Sequence, residues 1–199
     1  MSLLVVASSV QELEGVLTNA RKVVVGVGKV QSAVRTMEAL ANFRCDQLLC
    51  IGYAGSVADG LMIGDMVQAD STVQYDIDLT HFGMKRCEVP NGENNGLLGK
   101  LTLPVYRDFK GKTGCFGTAD LFLVRSYLLA NPWMKDELHL LSCDMESYGV
   151  AYACSRMKVP CHMVRIISDD SQGHRPKRFP EFVRKANEQF SELLSVVAE

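Results

Sequence analysis

Short apolar runs and amphipathic segments alternate along most of the chain. Leu3–Ala7 is a continuous apolar run, and Val10, Leu13 and Leu17 follow at helical spacing, which predicts a strand and then a helix over residues 10–20. Further strands are predicted at residues 21–27, 47–51, 66–75, 112–117, 138–143 and 162–168. Further helices are predicted at residues 30–43, 121–130 and 145–157. Strands that alternate with helices indicate an α/β sandwich around a largely parallel sheet.

Two of the predicted helices carry a clear apolar stripe. The stripe of the helix at 30–43 consists of Val30, Val34, Met37, Leu40 and Ala41. The stripe of the last helix consists of Phe182, Ala186, Phe190, Leu193 and Val197. Residues three and four apart lie on the same side of a helix, so each stripe defines one face.

The middle of the chain departs from this alternation. Residues 90–99 are polar and turn-prone, and no helical stripe of useful length lies between the predicted strands at 66–75 and 112–117. The β-rich middle therefore predicts a mixed sheet rather than a fully parallel one. Because the sequence has no internal repeat and no linker-like composition, we expect residues 1–199 to form a single domain.

Charge and hydropathy argue against two kinds of partner. The chain has 21 Lys and Arg against 23 Asp and Glu, a formal net charge of -2, and a pI near 6.1. No basic field attracts nucleic acid or an anionic membrane, so we expect neither partner. No apolar run approaches the roughly 20 residues that span a bilayer, and no basic residue precedes the first apolar run as in a secretion signal. We therefore expect a cytoplasmic protein.

Cysteine and histidine spacing gives no indication of a metal site or a disulfide framework. The seven cysteines are an odd number without a C-x-x-C pair, which favours reduced, mostly buried thiols. The histidines show no close ligand spacing with one another; they are His81, His139, His162 and His174. We expect no metal.

Two glycines lie at the predicted strand-to-helix junction formed by residues 25–30, VGVGKV. A dinucleotide-binding fingerprint needs a third glycine, but Gln31 stands at that position. Gly26 and Gly28 more simply allow a sharp turn and close backbone packing. We favour a packing turn over a cofactor site.

A second glycine-rich bend, residues 51–55 (IGYAG), ends a buried strand. Open α/β sheets bind ligands at the carboxyl ends of their strands. Small residues such as Ala54 and Gly55 leave room there for a flat ligand against bare backbone. An ordinary loop that needs a positive φ explains the same residues equally well, so the motif alone leaves both interpretations open.

Polar side chains follow two further strands. Glu146 lies where a helix begins; it can accept hydrogen bonds from the vicinal hydroxyls of a ribose, or it can simply interact with the helix dipole. Arg165, within a buried strand, needs a carboxylate partner, and Glu146 is the predicted one. Ser168 and Asp169 end that strand at the expected ligand edge, with a capping or turn cluster as the alternative interpretation.

Together these motifs resemble the nucleoside phosphorylase/nucleosidase superfamily, and within it the branch of 5'-methylthioadenosine/S-adenosylhomocysteine nucleosidases. The resemblance runs from Leu3 to about Phe190. Its motifs are residues 26–30 (GVGKV), 52–55 (GYAG), 63–65 (IGD), 75–83 (YDIDLTHFG), 144–146 (DME) and 165–169 (RIISD). The resemblance implies a three-layer αβα sandwich around a twisted mixed sheet, assembled as a homodimer. It also implies a nucleosidase that hydrolyses a 5'-modified adenosine without a cofactor.

The resemblance assigns the chemistry to three residues. By position, Glu12 matches the carboxylate that activates the attacking water, Asp169 the acid that protonates N7 of the leaving purine, and Ser168 the residue that helps to orient it. Cleavage of an N-glycosidic bond builds positive charge on the sugar and negative charge on the purine, so a base at one end and an acid at the other fit the reaction. One carboxyl must be ionised and the other protonated, which requires two different environments.

The remaining residues assigned by resemblance bind the nucleoside. Glu146 matches the ribose acceptor, with Met145 packing under the sugar and Arg165 steadying Glu146. Phe122 resembles the aromatic residue that stacks on the base, and Phe179 belongs to a mobile segment that closes over it. The nucleoside site is completed by Ala54, Gly55 and Leu123. The residues that resemble those reaching into the partner subunit's 5'-substituent pocket are Leu79, Phe82 and Pro90.

The chain departs from the family pattern in three places. After Glu12 the segment is short and reaches Arg21 directly, which opens the nucleoside pocket on one side or leaves it to another subunit. Tyr53 stands where the family usually has Ser or Thr, so the bend is bulkier. Residues 90–112 are abbreviated and polar.

Two other functions stay open at this point. A phosphate-dependent nucleoside phosphorylase needs Arg clusters or backbone amides to hold phosphate, and Arg21, Arg35 and Arg44 join no phosphate-type motif, which favours hydrolysis. A catalytically silent nucleoside-binding protein could keep the pocket and discard the acid and base. The presence of Glu12 and Asp169 counts against it.

Overall fold

The computed structural model describes residues 2–93 and 96–197 of the chain. Its strands are β1 (Leu3–Ala7), β2 (Arg21–Val24), β3 (Gln47–Ser56), β4 (Met66–Gln74), β5 (Val89–Pro90), β6 (Leu97–Leu98), β7 (Leu101–Thr102), β8 (Lys112–Thr118), β9 (Leu140–Asp144) and β10 (Cys161–Asp169). Its helices are α1 (Lys29–Asn42), α2 (Arg125–Ala130), α3 (Trp133–Asp136), α4 (Ser147–Met157) and α5 (Phe179–Val197), with 3₁₀ turns at Val10–Glu12 and Thr80–Phe82. None of the helices in this described part of the chain is long and apolar enough to cross a membrane. The same residues contain no group of three or more His, Cys, Asp or Glu side chains that could hold a metal ion.

One mixed sheet of eight strands organises the fold. Its order is β10-β4-β8-β9-β3-β1-β2, with β7 paired to β4, while β5 and β6 form a separate two-stranded sheet. β3 runs parallel to β1 and β10 and antiparallel to β9, which confirms the predicted mixed sheet. Because β10 pairs with both β3 and β4, the sheet twists far enough to close part of itself into a ring. At one edge of this ring the carboxyl ends of β3, β9 and β10 meet.

Helices cover both faces of the sheet. In the fully buried strand β1, Leu4 and Val6 belong to one core and Val5 and Ala7 to the other, as the two-residue period of a strand requires. The first core is closed by α1 and α4, and the second by α5, whose Phe190 is fully buried. The predicted three-layer αβα sandwich is therefore confirmed.

The helix predicted over residues 10–20 is wrong. Only Val10–Glu12 is helical, as a single 3₁₀ turn, and Leu17 on the predicted apolar face is 76% exposed. Gly15 adopts a φ of +78°, a left-handed conformation in which glycine commonly ends a helix. The chain therefore leaves the turn early and passes directly to β2.

The apolar stripe predicted on α1 mostly faces away from the core. Its exposed members are Val30, Val34, Met37 and Ala41. Leu40 is buried, but the other side chains that α1 buries are small, among them Ser32 and Thr36. The reason lies in the contact with α4, where a Cβ added to Gly149 would be 2.6 Å from the Lys29 carbonyl oxygen. Helices this close together need small residues between them, so the larger apolar side chains stay at the surface.

Candidate active site

A cavity of about 470 Å³ opens at the edge where β3, β9 and β10 end. Gly55 joins the three strands there, since it pairs with Cys143 of β9 and with Asp169 of β10. The predicted site residues that line the cavity are Glu12, Ala54, Gly55, Phe122, Leu123, Met145, Glu146, Ser168, Asp169 and Phe179. The volume lies within the usual range for small-molecule sites. A larger cavity, about 1110 Å³, lies against α5 and contains none of these residues.

Glu12 is buried at the end of the first 3₁₀ turn, and donors hold both of its carboxylate oxygens. Oε2 accepts hydrogen bonds from the Ser8 hydroxyl at 2.5 Å and the Ser9 amide at 2.9 Å, and Oε1 accepts one from the Tyr53 amide at 3.1 Å. A Cβ added to Gly52 would lie 2.7 Å from Oε1, so only glycine lets β3 approach this closely. Since a carboxylate oxygen can accept two hydrogen bonds, Oε1 keeps capacity for a water molecule.

Asp169, at the end of β10, has both carboxylate oxygens engaged. Oδ2 accepts a hydrogen bond from the Ser168 hydroxyl at 2.7 Å, and Oδ1 forms an ion pair with Arg175 Nε at 2.8 Å. The guanidinium carbon of Arg175 also lies 4.8 Å from the centre of the Phe122 ring. Ser168 therefore fixes one side of the carboxylate, while the other side faces a cation.

Glu146 directly precedes α4 and is buried. Its Oε1 accepts a hydrogen bond from the Gly28 amide at 3.1 Å, which reaches it from the glycine-rich turn before α1. Burial of the carboxyl and, after it, the nearby negative charge of Asp144 raise the pKa of Glu146 to about 7. This carboxyl therefore changes its protonation near neutral pH.

The predicted pairing of Arg165 with Glu146 is wrong. Arg165 Nε binds Asp144 Oδ2 at 2.8 Å, in a salt bridge whose two side chains are fully buried, and its guanidinium also donates to the Cys50 carbonyl at 3.0 Å. Asp144 in turn accepts hydrogen bonds from the amides of Glu146 and Ser147, at 3.2 and 3.0 Å. The ion pair thus holds the start of α4 in place. Arg165 does not line the cavity, so it is a supporting residue rather than one that contacts a ligand.

Apolar side chains form the remaining walls of the cavity. Phe122 and Phe179 are both partly exposed at its mouth, and Leu123 and Met145 lie between the polar groups. The helix predicted from residue 121 begins only at Arg125, because the residues before it line the cavity instead. A flat apolar part of a ligand could pack against these two aromatic rings.

The bulk of Tyr53 is accommodated largely by α5. Its ring centre lies 5.0 Å from that of Phe182, and its hydroxyl is 3.3 Å from Oδ1 of Asn187. Tyr53 still contributes to the cavity wall. The larger residue therefore tightens the contact between the bend and α5.

Besides Arg165, three predicted site residues lie outside the cavity, namely Leu79, Phe82 and Pro90. Phe82 and Pro90 are exposed, and Leu79 is partly exposed. Their role in a partner subunit's pocket depends on a second chain and stays a prediction.

Sequence reasoning missed several contributors to the site, among them Gly28, Ser9 and Arg175. The sequence predicts only a packing turn at Gly28, yet the amide of this residue holds Glu146. The Ser9 amide holds Glu12, and the S-x-x-E spacing of a capping box could have indicated this contact. Arg175 lies in an irregular segment between β10 and α5, where no periodic pattern indicates which way a side chain points.

The architecture is similar to that of solved nucleosidases. The 5'-methylthioadenosine/S-adenosyl homocysteine nucleosidase of Campylobacter jejuni superposes with a TM-score of 0.82 and 22% identity, over 98% of this chain and 97% of that one. The nucleosidase of S. pneumoniae with a transition-state inhibitor gives a TM-score of 0.79 and 23% identity, over 98% and 96%. At these identities the likeness shows a shared fold.

Curated relatives are closer in sequence. The 5'-methylthioadenosine/S-adenosylhomocysteine nucleosidase of Marinomonas sp. is 31% identical over 179 residues, 85% of this chain and 76% of the relative. The aminodeoxyfutalosine nucleosidase of Campylobacter jejuni is 32% identical over 163 residues, 79% of this chain and 70% of the relative. The family model of the phosphorylase superfamily matches residues 14–199. With a match over nearly its whole length, the chain belongs to the phosphorylase superfamily.

Proposed function

We propose that the protein is a purine nucleosidase that hydrolyses the N-glycosidic bond of a 5'-modified adenosine. The observation that carries this proposal is that Glu12, Glu146 and Asp169 line one cavity, although they lie far apart in the sequence. The names of the curated relatives support the substrate class, since those proteins are nucleosidases of 5'-methylthioadenosine, S-adenosylhomocysteine or aminodeoxyfutalosine.

Two carboxyl groups carry the proton transfers in this mechanism. Glu12 takes a proton from the water that attacks the sugar, and its Oε1 has the capacity to accept that hydrogen bond. Asp169 protonates N7 of the leaving purine through Oδ1, while Ser168 holds Oδ2. Each proton transfer contributes ~10²–10⁴-fold in rate, and the two groups act at opposite ends of the same bond.

The other residues of the cavity hold the nucleoside. Glu146 accepts hydrogen bonds from the ribose hydroxyls, and the Gly28 amide keeps its carboxylate in position. Met145 packs under the sugar, Phe122 stacks on the base, and Phe179 at the start of α5 covers it. Orientation of this kind is how a site converts binding into rate.

The charges of the cavity favour hydrolysis over phosphorolysis. A bound phosphate requires Arg side chains or a nest of backbone amides. Among the described residues that line the cavity, Arg175 is the only Lys or Arg, and its guanidinium is already paired with Asp169. Water needs no such donors.

A homodimer that covers the open side of the cavity is part of the proposal. Val27 lines the cavity and is half exposed, and the exposed apolar residues of α1 continue from it at spacings of three and four. The large ones are Val30, Val34 and Met37. An exposed apolar face next to a ligand site is typical of a surface that a partner buries. In this dimer the residues that enter the partner's 5'-substituent pocket are Leu79, Phe82 and Pro90.

We place the protein in the cytoplasm. All seven cysteines lie among the described residues and carry free thiols, which fits a reducing compartment.

Incubation of the purified protein with a panel of nucleosides tests this function. The panel contains 5'-methylthioadenosine, S-adenosylhomocysteine, adenosine and inosine, each with and without phosphate, and chromatography measures the free base and the sugar product. We expect adenine and a free 5'-modified ribose at the same rate in both buffers. A sugar 1-phosphate that forms only with phosphate would establish a phosphorylase instead, and binding without turnover would establish a silent nucleoside-binding protein.

A further inference from the structure

Arg175 lies over the part of the cavity assigned to the purine. Its Nε is 2.8 Å from Asp169 Oδ1, the oxygen left over when Ser168 holds Oδ2. Its guanidinium carbon is 4.8 Å from the centre of the Phe122 ring. A planar cation here occupies both positions that a bound purine needs, beside the Asp169 carboxyl and against the aromatic ring.

While Arg175 makes these two contacts, a base cannot occupy the same positions beside Asp169 and Phe122. Atoms in contact are about 3.5–4 Å apart, so a base between Phe122 and a second group needs roughly twice that distance. At 4.8 Å from the ring centre, the guanidinium carbon of Arg175 leaves no room for such a layer on the face of Phe122 that it covers. Purine N7 also cannot reach Asp169 Oδ1 in the same direction as the arginine.

The segment that presents Arg175 is anchored, whereas more than half of the side chain itself is exposed. Asp170 closes a turn by accepting hydrogen bonds from the amides of Gln172 and His174, at 3.0 and 2.9 Å. The turn is tied to α2, since Arg125 donates to the Gln172 carbonyl at 3.2 Å. The Arg175 side chain is 59% exposed and also lines a neighbouring cavity of about 320 Å³, which gives it a place to move into.

We propose that Arg175 occupies the purine subsite of the free enzyme and must be displaced by the base, so that this residue sets the affinity for the nucleoside. The proposal rests on the proposed function, because it takes Asp169 and Phe122 as the purine contacts. The competition is electrostatic and local. Arg175 donates to Asp169 Oδ1, whereas N7 of a neutral purine accepts a proton from it, so the base binds only after the cation has left and the carboxyl has taken up a proton from solvent.

Binding of adenine and turnover of 5'-methylthioadenosine test the proposal. Arg175→Met keeps the length of the side chain and removes its charge. Arg178→Met is the matched control, because Arg178 is three residues away, pairs with Glu181 and lines neither cavity. Calorimetry gives the Kd of adenine for each protein, and steady-state kinetics give kcat and KM separately.

We expect Arg175→Met to bind adenine about 5- to 20-fold more tightly, which is the combined effect of an exposed ion pair and a cation–π contact. KM falls by a similar factor, with kcat within about threefold of the wild type. In the wild type, raising the salt concentration from roughly 0.05 to 0.5 M tightens adenine binding, because salt weakens the ion pair. Arg175→Met lacks this dependence, and Arg178→Met behaves like the wild type.

Unchanged or weaker adenine binding in Arg175→Met, together with wild-type affinity that does not rise with salt, overturns the proposal. If the wild type releases adenine from the nucleoside while this result is obtained, only the role of Arg175 fails. If the wild type neither binds adenine nor cleaves any nucleoside, the proposed function fails and the role of Arg175 fails with it.

Discussion

Protonation of Glu146 controls nucleoside binding in the proposed mechanism. Burial and the charge of Asp144 raise its pKa to about 7, and the hydroxyls of a ribose donate hydrogen bonds, which the ionised carboxylate accepts best. For a ligand that binds only the ionised form, the Kd falls about tenfold for each unit by which the pH rises toward this pKa, and it is constant at higher pH. Between about pH 5 and pH 8 the affinity should therefore rise about 100-fold.

Calorimetry on an Asp169→Asn variant measures this effect without turnover. The Kd of 5'-methylthioadenosine is followed across that pH range, with the double variant Asp169→Asn/Glu146→Gln as the control. We expect the control to bind weakly and with little pH dependence, because a glutamine does not ionise. An affinity that is independent of pH in Asp169→Asn, or a pH dependence that survives Glu146→Gln, would refute the reasoning.

Three further outcomes follow from the same contacts. Folding raises the pKa of Glu146, so this carboxyl stabilises the protein at a pH below the pKa it has in the unfolded chain and loses that contribution as the pH rises through about 7. Glu146→Gln should therefore raise the Tm at pH 8 but not at pH 4. A lower Tm at pH 8 would contradict this. Arg165→Met leaves a buried carboxylate unpaired and should lower the free energy of unfolding by about 3–5 kcal/mol in urea titrations, with a loss below about 1 kcal/mol as the contrary result. Val34→Glu places a charge on the exposed face of α1 and should convert the proposed dimer to monomers in analytical ultracentrifugation, whereas an unchanged sedimentation coefficient argues for another interface.

Much of the fold follows from local patterns. Apolar runs identified the principal strands, and helical spacing identified the helices that cover the sheet, although it put the wrong face of α1 toward the core. The same logic placed Glu146 and Asp169 after strands whose ends share one edge, which is where the cavity lies. Glu12 has no such pattern, and only the family resemblance indicated it.

One error arose because two candidate residues fitted the same pattern. Asp144 and Glu146 are two residues apart and both are buried, so spacing alone could not decide which one pairs with Arg165; the Asp144 carboxylate, at the end of β9, is the one that lies beside the guanidinium. The stripe on α1 is a true helical face, but close packing at Gly149 turned it toward solvent. Tertiary contacts of this kind have no local signature in the sequence.

The central claim is that Glu12 activates the attacking water while Asp169 protonates the leaving purine. The most direct measurement is the rate of adenine release from 5'-methylthioadenosine in phosphate-free buffer by the wild type, Glu12→Gln and Asp169→Asn. We expect turnover by the wild type and a loss of at least ~100-fold in each variant, with the nucleoside still bound by both. Turnover near the wild-type rate in either variant would contradict the claim.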